Sequence, residues 1–477
     1  MLNSAAIKNF AISVLVFSLT TDSFAITVKK ARSAVNADMQ SGRYAVEFRF
    51  TDELKWKEAA VYQSINNNKE DQDVSWASLP LDKSVEVRIS AGNTRVESVL
   101  VRPLAFQIAC SVRDQFIYVR LQKPVQVSVE INGDKNHPLL LFIDPPELKP
   151  ESNGNRNVLF FEKGLHDIGE RYPLTSNTTY YLESGAYLMG SMYGDSTVRN
   201  VTIEGRGIIN SGDHKWKHPT EGLLSNIAFE DGRNIRIDGI ICIESGNFQI
   251  KIQSKGNDDS ILINNVKLIG WNKNTDGIHV SDMDWKDHPK VGNGDNIRLK
   301  IENCFIRAND DAVLLCDGVA WSVVRNCVIW DDGGGASFCL SWGGHNNSDS
   351  SLVSNCYVIH KDGENPVFRA LHAGEAILRH VRFEDIIIEG NAHTLVGMKI
   401  TGHRYDPDPG MGHINDVYFS NITLEGLTNG NYIEGFNEDH LIENVTFENL
   451  RIDGRIIKSS KEMNLTTNDY ARNIVFK

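Results

Sequence analysis

One short unit returns eight times along the second half of the chain: apolar, any, apolar, any, Asn or Asp, apolar. It reads IRIDGIICI (Ile235–Ile243), ILINNVKLI (Ile261–Ile269), LKIENCFI (Leu299–Ile306), VVRNCVI (Val323–Ile329) and LVSNCYVI (Leu352–Ile359). It continues as VRFEDIIIEG (Val381–Gly390), VYFSNITLEG (Val417–Gly426) and VTFENLRIDG (Val445–Gly454). The Asn/Asp positions are 238, 264, 303, 326, 355, 385, 421 and 449, spaced 23 to 39 residues apart. Repeats of this length built from short strands mean a solenoid or a propeller. Propeller blades need four antiparallel strands and a steadier period, whereas coils of a parallel β-helix tolerate loops of any length at their corners. The fixed asparagine also has a physical reason there. Stacked at one corner of successive coils, its amide bonds to the coils above and below. The expected fold is a right-handed parallel β-helix over residues 151–477.

The preceding texture is different. YAVEFRF, SVEVRIS, RVESVLVRP, FIYVRL and VQVSVEI alternate apolar and polar positions and are separated by turn clusters such as NNNKEDQD and NGDKNH. Period-two runs broken by turns predict an N-terminal antiparallel β-sandwich over residues 26–150, ending in the linker DPPELKP. Residues 1–25 read as an export signal: Lys8, the apolar run FAISVLVFSL, and small residues at Ser23 and Ala25 suited to cleavage. That run is too short to span a membrane, and no later stretch qualifies. The mature protein is expected to be secreted, periplasmic or surface-attached, and monomeric.

Seven cysteines are an odd number, and Cys304, Cys327 and Cys356 each follow an asparagine of the repeat. This places them in the core, not in a disulfide scaffold or metal site; a Cys316–Cys339 pairing stays open. No metal and no cofactor is expected. A net charge of −13 argues against a nucleic-acid partner and mildly against a polyanionic one.

The repeat supplies an alignment for the chemistry. NTDGIHV (Asn274–Val280) lies over NDDAVLL (Asn309–Leu315), matching Asn274 to Asn309 and Asp276 to Asp311. On consecutive coils these two carboxylates stack at strand spacing, about 5 Å, with Asp310 beside them over Thr275. Mutual repulsion then holds at least one proton on the group near neutral pH. A protonated acid beside an ionised base is what glycosidic cleavage requires. A lone pair of aspartates is more often a solvated corner or a calcium ligand; the matching Asp276 shifts that balance.

The surroundings suit sugar. Six of the eight tryptophans fall between Trp216 and Trp342, among them Trp271, Trp285, Trp321, Trp330 and Trp342. Aromatic rings stack on the apolar faces of pyranoses, and about half of these are expected to do so. The glycines of WDDGGGASF (Trp330–Phe338) leave floor space for a sugar or form a tight turn.

NTDG followed by NDDA on a β-helix resembles the clan of inverting hydrolases that holds the polygalacturonases (glycoside hydrolase family 28) and the dextranase/isopullulanase family (family 49). A preceding sandwich, the stretch FFEKGLHDIG…NTTYYLESGAYLMGS (Phe160–Ser191) and the later VIWDDGGGASFCLSW and SNCYVIH favour family 49. The opening GDGxTDDTxAI and the GHG motif of polygalacturonases are missing, with only GGHN (Gly343–Asn346) nearby. Their RIK is replaced by GMKI, which leaves Lys399 without its arginine. The resemblance implies Asp310 as general acid, Asp276 and Asp311 as the pair that activates water, and inversion. Substrate-binding candidates are Asn274, Asn309, Trp285, Trp342, His345, Lys399 and Arg404, with His403 beside them. Asn274 and Asn309 also read as bend braces, His345 as a loop residue and Lys399 as a surface charge. The insertion SDMDWKDHPKVGNGD (Ser281–Asp295) reads as a substrate wall.

The sequence therefore predicts an exported hydrolase of an α-linked polysaccharide, foremost a dextran-type α-1,6-glucan. Its rivals are a hydrolase of an acidic or sulfated glycan, a calcium-dependent lyase, and a glycan-binding β-helix without catalysis.

Overall fold

The computed structural model describes residues 26–477, except 37–38, 66–70, 82, 151–156, 213–223, 255–259, 271, 282–296, 316, 343, 345 and 403–411. The expected export signal thus lies outside the described residues, as do Cys316, Trp285, His345, His403 and Arg404. No helix among the described residues is long and apolar enough to cross a membrane.

Two five-stranded sheets form the N-terminal sandwich. One runs in the order Tyr62–Ile65, Asp73–Pro80, Leu139–Asp144, Val125–Ile131, Val99–Arg102. The other runs Lys57–Ala59, Ala45–Phe50, Val85–Ser90, Phe116–Leu121, Cys110–Arg113. Alternation dictates the packing: Val85, Val87 and Ile89 are buried while the residues between them are not. Every pairing is antiparallel except Leu139–Asp144 against Asp73–Pro80, which run parallel.

The strand Ile26–Lys29 does not join the sandwich. It pairs in parallel with Asn157–Phe161 and so belongs to the β-helix. Among the described residues a single 31-stranded sheet winds from there to Ala471–Phe476, its strands paired in parallel with counterparts one coil away except Arg455–Ile456, which runs antiparallel to Arg451–Ile452. Apolar side chains point inward and close one long core. The repeated phenylalanine of the unit stacks in register: Phe383, Phe419, Phe447 and Phe476 lie 4.9 to 5.1 Å apart, ring over ring.

The asparagine ladder is present. Asn264 donates to Asp238, Asn303 to Asn264, Asn326 to Asn303 and Asn355 to Asn326, at 2.7 to 3.2 Å. The ladder resumes with Asn421 on Asp385 and Asn449 on Asn421. Asn303, Asn326, Asn355, Asp385, Asn421 and Asn449 all take the left-handed conformation, which asparagine tolerates best among residues with a side chain. On the first two coils the bend comes one residue later, at Gly239 and Asn265. Cys304, Cys327 and Cys356 are buried, unpaired thiols directed at carbonyls two residues back.

Sandwich and helix share a second apolar core, in which Trp76 and Phe142 meet Tyr187, Phe305 and Trp330. Buried polar contacts fix the joint. Lys267 and Asp144 form an ion pair shut off from solvent, and Asn265 donates to Asp144 while accepting from Gln126.

Candidate active site

Three successive coils each enter a short strand on one face of the helix: Ile278–Ser281, Val313–Leu315 and Phe338–Ser341. Their register pairs Ile278 with Val313 and Val313 with Phe338. The bends just before these strands are therefore stacked. The Gly277 N–H donates to the Asp311 carbonyl at 2.9 Å, and the Ala312 N–H to the Ala336 carbonyl at 2.9 Å. Asp276 and Asp311 thus occupy equivalent places on consecutive coils, the placement read from NTDG and NDDA.

Asp311 is 1 % exposed and accepts on both oxygens. Oδ1 takes the Ala336 N–H at 2.7 Å and Arg369 Nη2 at 2.6 Å; Oδ2 takes Trp342 Nε1 at 2.5 Å and the same Arg369 nitrogen at 2.5 Å. Arg369 reaches it from two coils further on, since Leu314, Cys339 and Arg369 are register neighbours. Its guanidinium stacks on the Trp342 ring at 4.2 Å, and Nη1 bonds Asn365 at 3.3 Å. Burial works against the arginine's charge, but Asp311, Cys339 and Asp310 together more than offset it and hold the guanidinium firmly protonated.

Asp310 is half-buried, and its Oδ1 accepts the Asp311 N–H at 3.0 Å. Burial, then the neighbouring Asp311 charge, push its carboxyl up to about 7, against the opposing pull of Arg369. Asp276 is almost fully buried and is also pushed far above the usual carboxylate range, first by burial and then by Asp310 and Asp311. The two titrate as a coupled system that retains a proton near neutral pH. His279 stands 3.5 Å from Asp276, bonds Ser281 at 3.2 Å and stacks on Phe248 at 4.6 Å. Burial, aided by Lys251, pushes it down to about 3, so it is a neutral neighbour.

The glycine run, read as either a sugar floor or a tight turn, lets two coils approach closely. A side chain on Gly334 would lie 1.8 Å from the Asn309 carbonyl, and one on Gly335 would lie 2.3 Å from the Asp311 nitrogen and 2.6 Å from Asp310 Oδ1. The space is filled by the neighbouring coil, whose backbone could not otherwise approach. Beneath the loop, Asp331 and Lys361 form a fully buried ion pair. Asp331 also takes the Gly333 N–H and the Ser337 hydroxyl.

Of the other sequence candidates, Asn274 and Asn309 flank the aspartates, half-buried, and Asn274 takes a left-handed bend. Trp342 enters the site as a donor to Asp311. Lys399 is half-buried and ion-paired with Glu434 of the next coil at 2.7 Å. Trp330 is buried in the joint with the sandwich, against His360 and Arg307, and cannot meet a sugar. Trp285, His345 and Arg404 lie outside the described residues. Arg369 and His279 were not anticipated. His279 stands in the same NTDGIHV segment as Asp276, whereas Arg369 had only its position two coils beyond Asp311 to mark it.

No family model matches the chain, and no curated protein matches it. Among solved structures, Dex49A from Penicillium minioluteum superposes with a TM-score of 0.71 at 14 % identity, covering 95 % of this chain and 97 % of that one. That likeness extends through the sandwich and the helix and shows a common fold. A hyperthermoactive exopolygalacturonase from Thermotoga maritima matches at 0.49 and 14 % identity, over 68 % and 85 % of the two chains. A polygalacturonase from Erwinia carotovora ssp. carotovora matches at 0.46 and 15 %, over 69 % and 95 %.

Proposed function

We propose that this protein is an exported, monomeric glycoside hydrolase that cleaves a neutral α-linked polysaccharide, foremost a dextran-type α-1,6-glucan. The observation that carries the reading is the division of labour among Asp276, Asp310 and Asp311. Asp310, the most accessible of the three, holds a proton up to about pH 7 and stands where it can pass it to a glycosidic oxygen. Asp311 is in an ion pair with Arg369, and its oxygens already accept four hydrogen bonds. The proton leaving the attacking water therefore falls to Asp276, in the form of the cluster where the retained proton sits on Asp310. Water and leaving oxygen then exchange one proton each with the protein, and the cluster resets when Asp276 returns its proton to Asp310 through solvent. Attack on the face opposite the leaving group would invert the anomeric centre.

The motif resemblance to family 49 and the fold shared with Dex49A support the α-glucan substrate. The pairing of charges also weighs against an acidic glycan. Arg369 and Lys399 each already face a carboxylate, Asp311 and Glu434, and a uronate held by either would have to displace it.

The test is incubation of the protein and its Asp310→Asn variant with dextran, pullulan, polygalacturonate and a sulfated galactan, reading new reducing ends and ultraviolet absorbance together. Reducing ends from dextran, absent in the variant and without absorbance, support the proposal. Release from polygalacturonate alone overturns the substrate, and an absorbing unsaturated product overturns hydrolysis.

A further inference from the structure

A second corner ladder runs along the helix. Asn177, Asn200 and Asn234 begin it, each donating to the one before, and Ser350, His380, Asp416, Asn444 and Asn473 end it. All eight have left-handed backbones, whereas the two coils between Asn234 and Trp321 pass the same register as extended strand at Ser260 and Arg298. The eight are the small, polar or hydrogen-bonding residues that tolerate the left-handed conformation. On the coil that carries Asp310 and Asp311 the same corner is occupied by Trp321, in register above Ser350. Its φ is +54°, and its side chain is 66 % exposed.

A single exposed aromatic needs no explanation. A bulky residue forced into the left-handed region does, because asparagine would serve the bend without strain. Position supplies the reason. The strand Val313–Leu315 is entered through Asp310 and Asp311 and left through Gly318–Ala320 to Trp321. Acids and tryptophan therefore lie before and after the same strand, on one coil. Below the tryptophan, the Asp349 carbonyl accepts its N–H at 3.0 Å, and the Asp349 carboxylate holds Arg379 at 2.6 Å and His380 at 2.7 Å, both partly exposed. A flat apolar surface flanked by fixed polar groups matches a pyranose, with its apolar face and its rim of hydroxyls.

We propose that Trp321 is a sugar-stacking platform on the coil of Asp310 and Asp311, after the strand they lead into, binding a pyranose of the same polysaccharide chain that is cut at Asp310. The inference rests on the hydrolase reading for its substrate class, but its test does not require cleavage.

The experiment uses the full chain in the Asp310→Asn background, with and without Trp321→Asn or Trp321→Phe. Mobility is measured in gels containing dextran, pullulan, polygalacturonate or a sulfated galactan, beside thermal melts. The expected result is retardation by one polymer, weakened about 3–10-fold by Trp321→Asn and largely kept by Trp321→Phe. The Asn variant should melt no lower than its parent, since asparagine suits the bend. Equal retardation of parent and Asn variant overturns the proposal, as does retardation of neither. An Asn variant that melts clearly lower shows a structural tryptophan and also overturns it. Should the protein with Asp310 intact release no reducing ends while binding still depends on Trp321, the platform stands and the hydrolase reading falls. Should it release them with binding indifferent to Trp321, the reverse holds.

Discussion

A single nitrogen of Arg369, Nη2, lies 2.6 and 2.5 Å from the two oxygens of Asp311, with both side chains almost wholly buried. This pair sets how charge is shared among the three aspartates. With Arg369 present, one negative charge has a partner, and the proton affinity of the cluster is expressed at Asp310 and Asp276. Replacing Arg369 by Met leaves a buried carboxylate uncompensated, a loss of about 3–5 kcal/mol. It also raises the proton affinity of Asp310 and Asp276, which Arg369 lowers in the unchanged protein. A melt beside a pH–rate profile checks both: stability should fall, and the residual activity should peak at higher pH. An unchanged optimum would show that Arg369 braces the coil without tuning the acids.

Asp310→Asn removes the proton donor while keeping its shape. Turnover should drop about 10²–10⁴-fold. In the unchanged protein activity should decline as pH rises through about 7, where Asp310 loses its proton. The same shift has a stability consequence whose sign is fixed by linkage. The folded carboxyl binds its proton more tightly than the unfolded one, so stability is lost as pH rises from about 4 to 7. Asparagine escapes that loss. At pH 8 the variant should melt above the parent by at least about 2 °C, and the gap should close below pH 4.

Gly335→Ala tests how closely the coils approach. Its added carbon would fall 2.3 Å from the Asp311 nitrogen, so the loop or the aspartates must move. The expected cost is about 1–3 kcal/mol, with turnover falling further than stability alone explains. Activity equal to the parent would mean that the catalytic bend tolerates displacement.

The sequence made legible whatever is periodic or local. Alternation in SVEVRIS marked the sandwich strands, and the recurring asparagine marked both the helix and the register that stacks Asp276 over Asp311. Long-range partners were not legible. Arg369 lies 58 residues from Asp311, and only the lengths of two intervening coils bring it there. Trp330 could not be sorted from the sugar-contact tryptophans for a related reason: it faces outward from the helix, as a sugar contact would, but the sandwich covers that face. The glycines after Asp332 left open whether a sugar, a turn or another coil takes the space beside them. A pattern in one chain segment cannot show which other segment occupies the space beside it.

The ladder itself is open to test at Asn326. Its amide donates to Asn303 at 3.1 Å and accepts from Asn355 at 2.7 Å, and its φ is +57°. Two separate contributions are therefore at stake, side-chain bonding and the left-handed bend. Asn326→Ala loses both and should cost about 2–3 kcal/mol. Asn326→Gly loses the bonds but adopts the bend freely, so it should cost about 1 kcal/mol. Asn326→Asp keeps the acceptor for Asn355 but sets a carboxylate against the Asn303 carbonyl oxygen, and should fall between them. Denaturant melts of the three variants resolve these differences. If Ala and Gly unfold together, the bend is not what selects asparagine here, and the hydrogen-bonded ladder alone accounts for its recurrence.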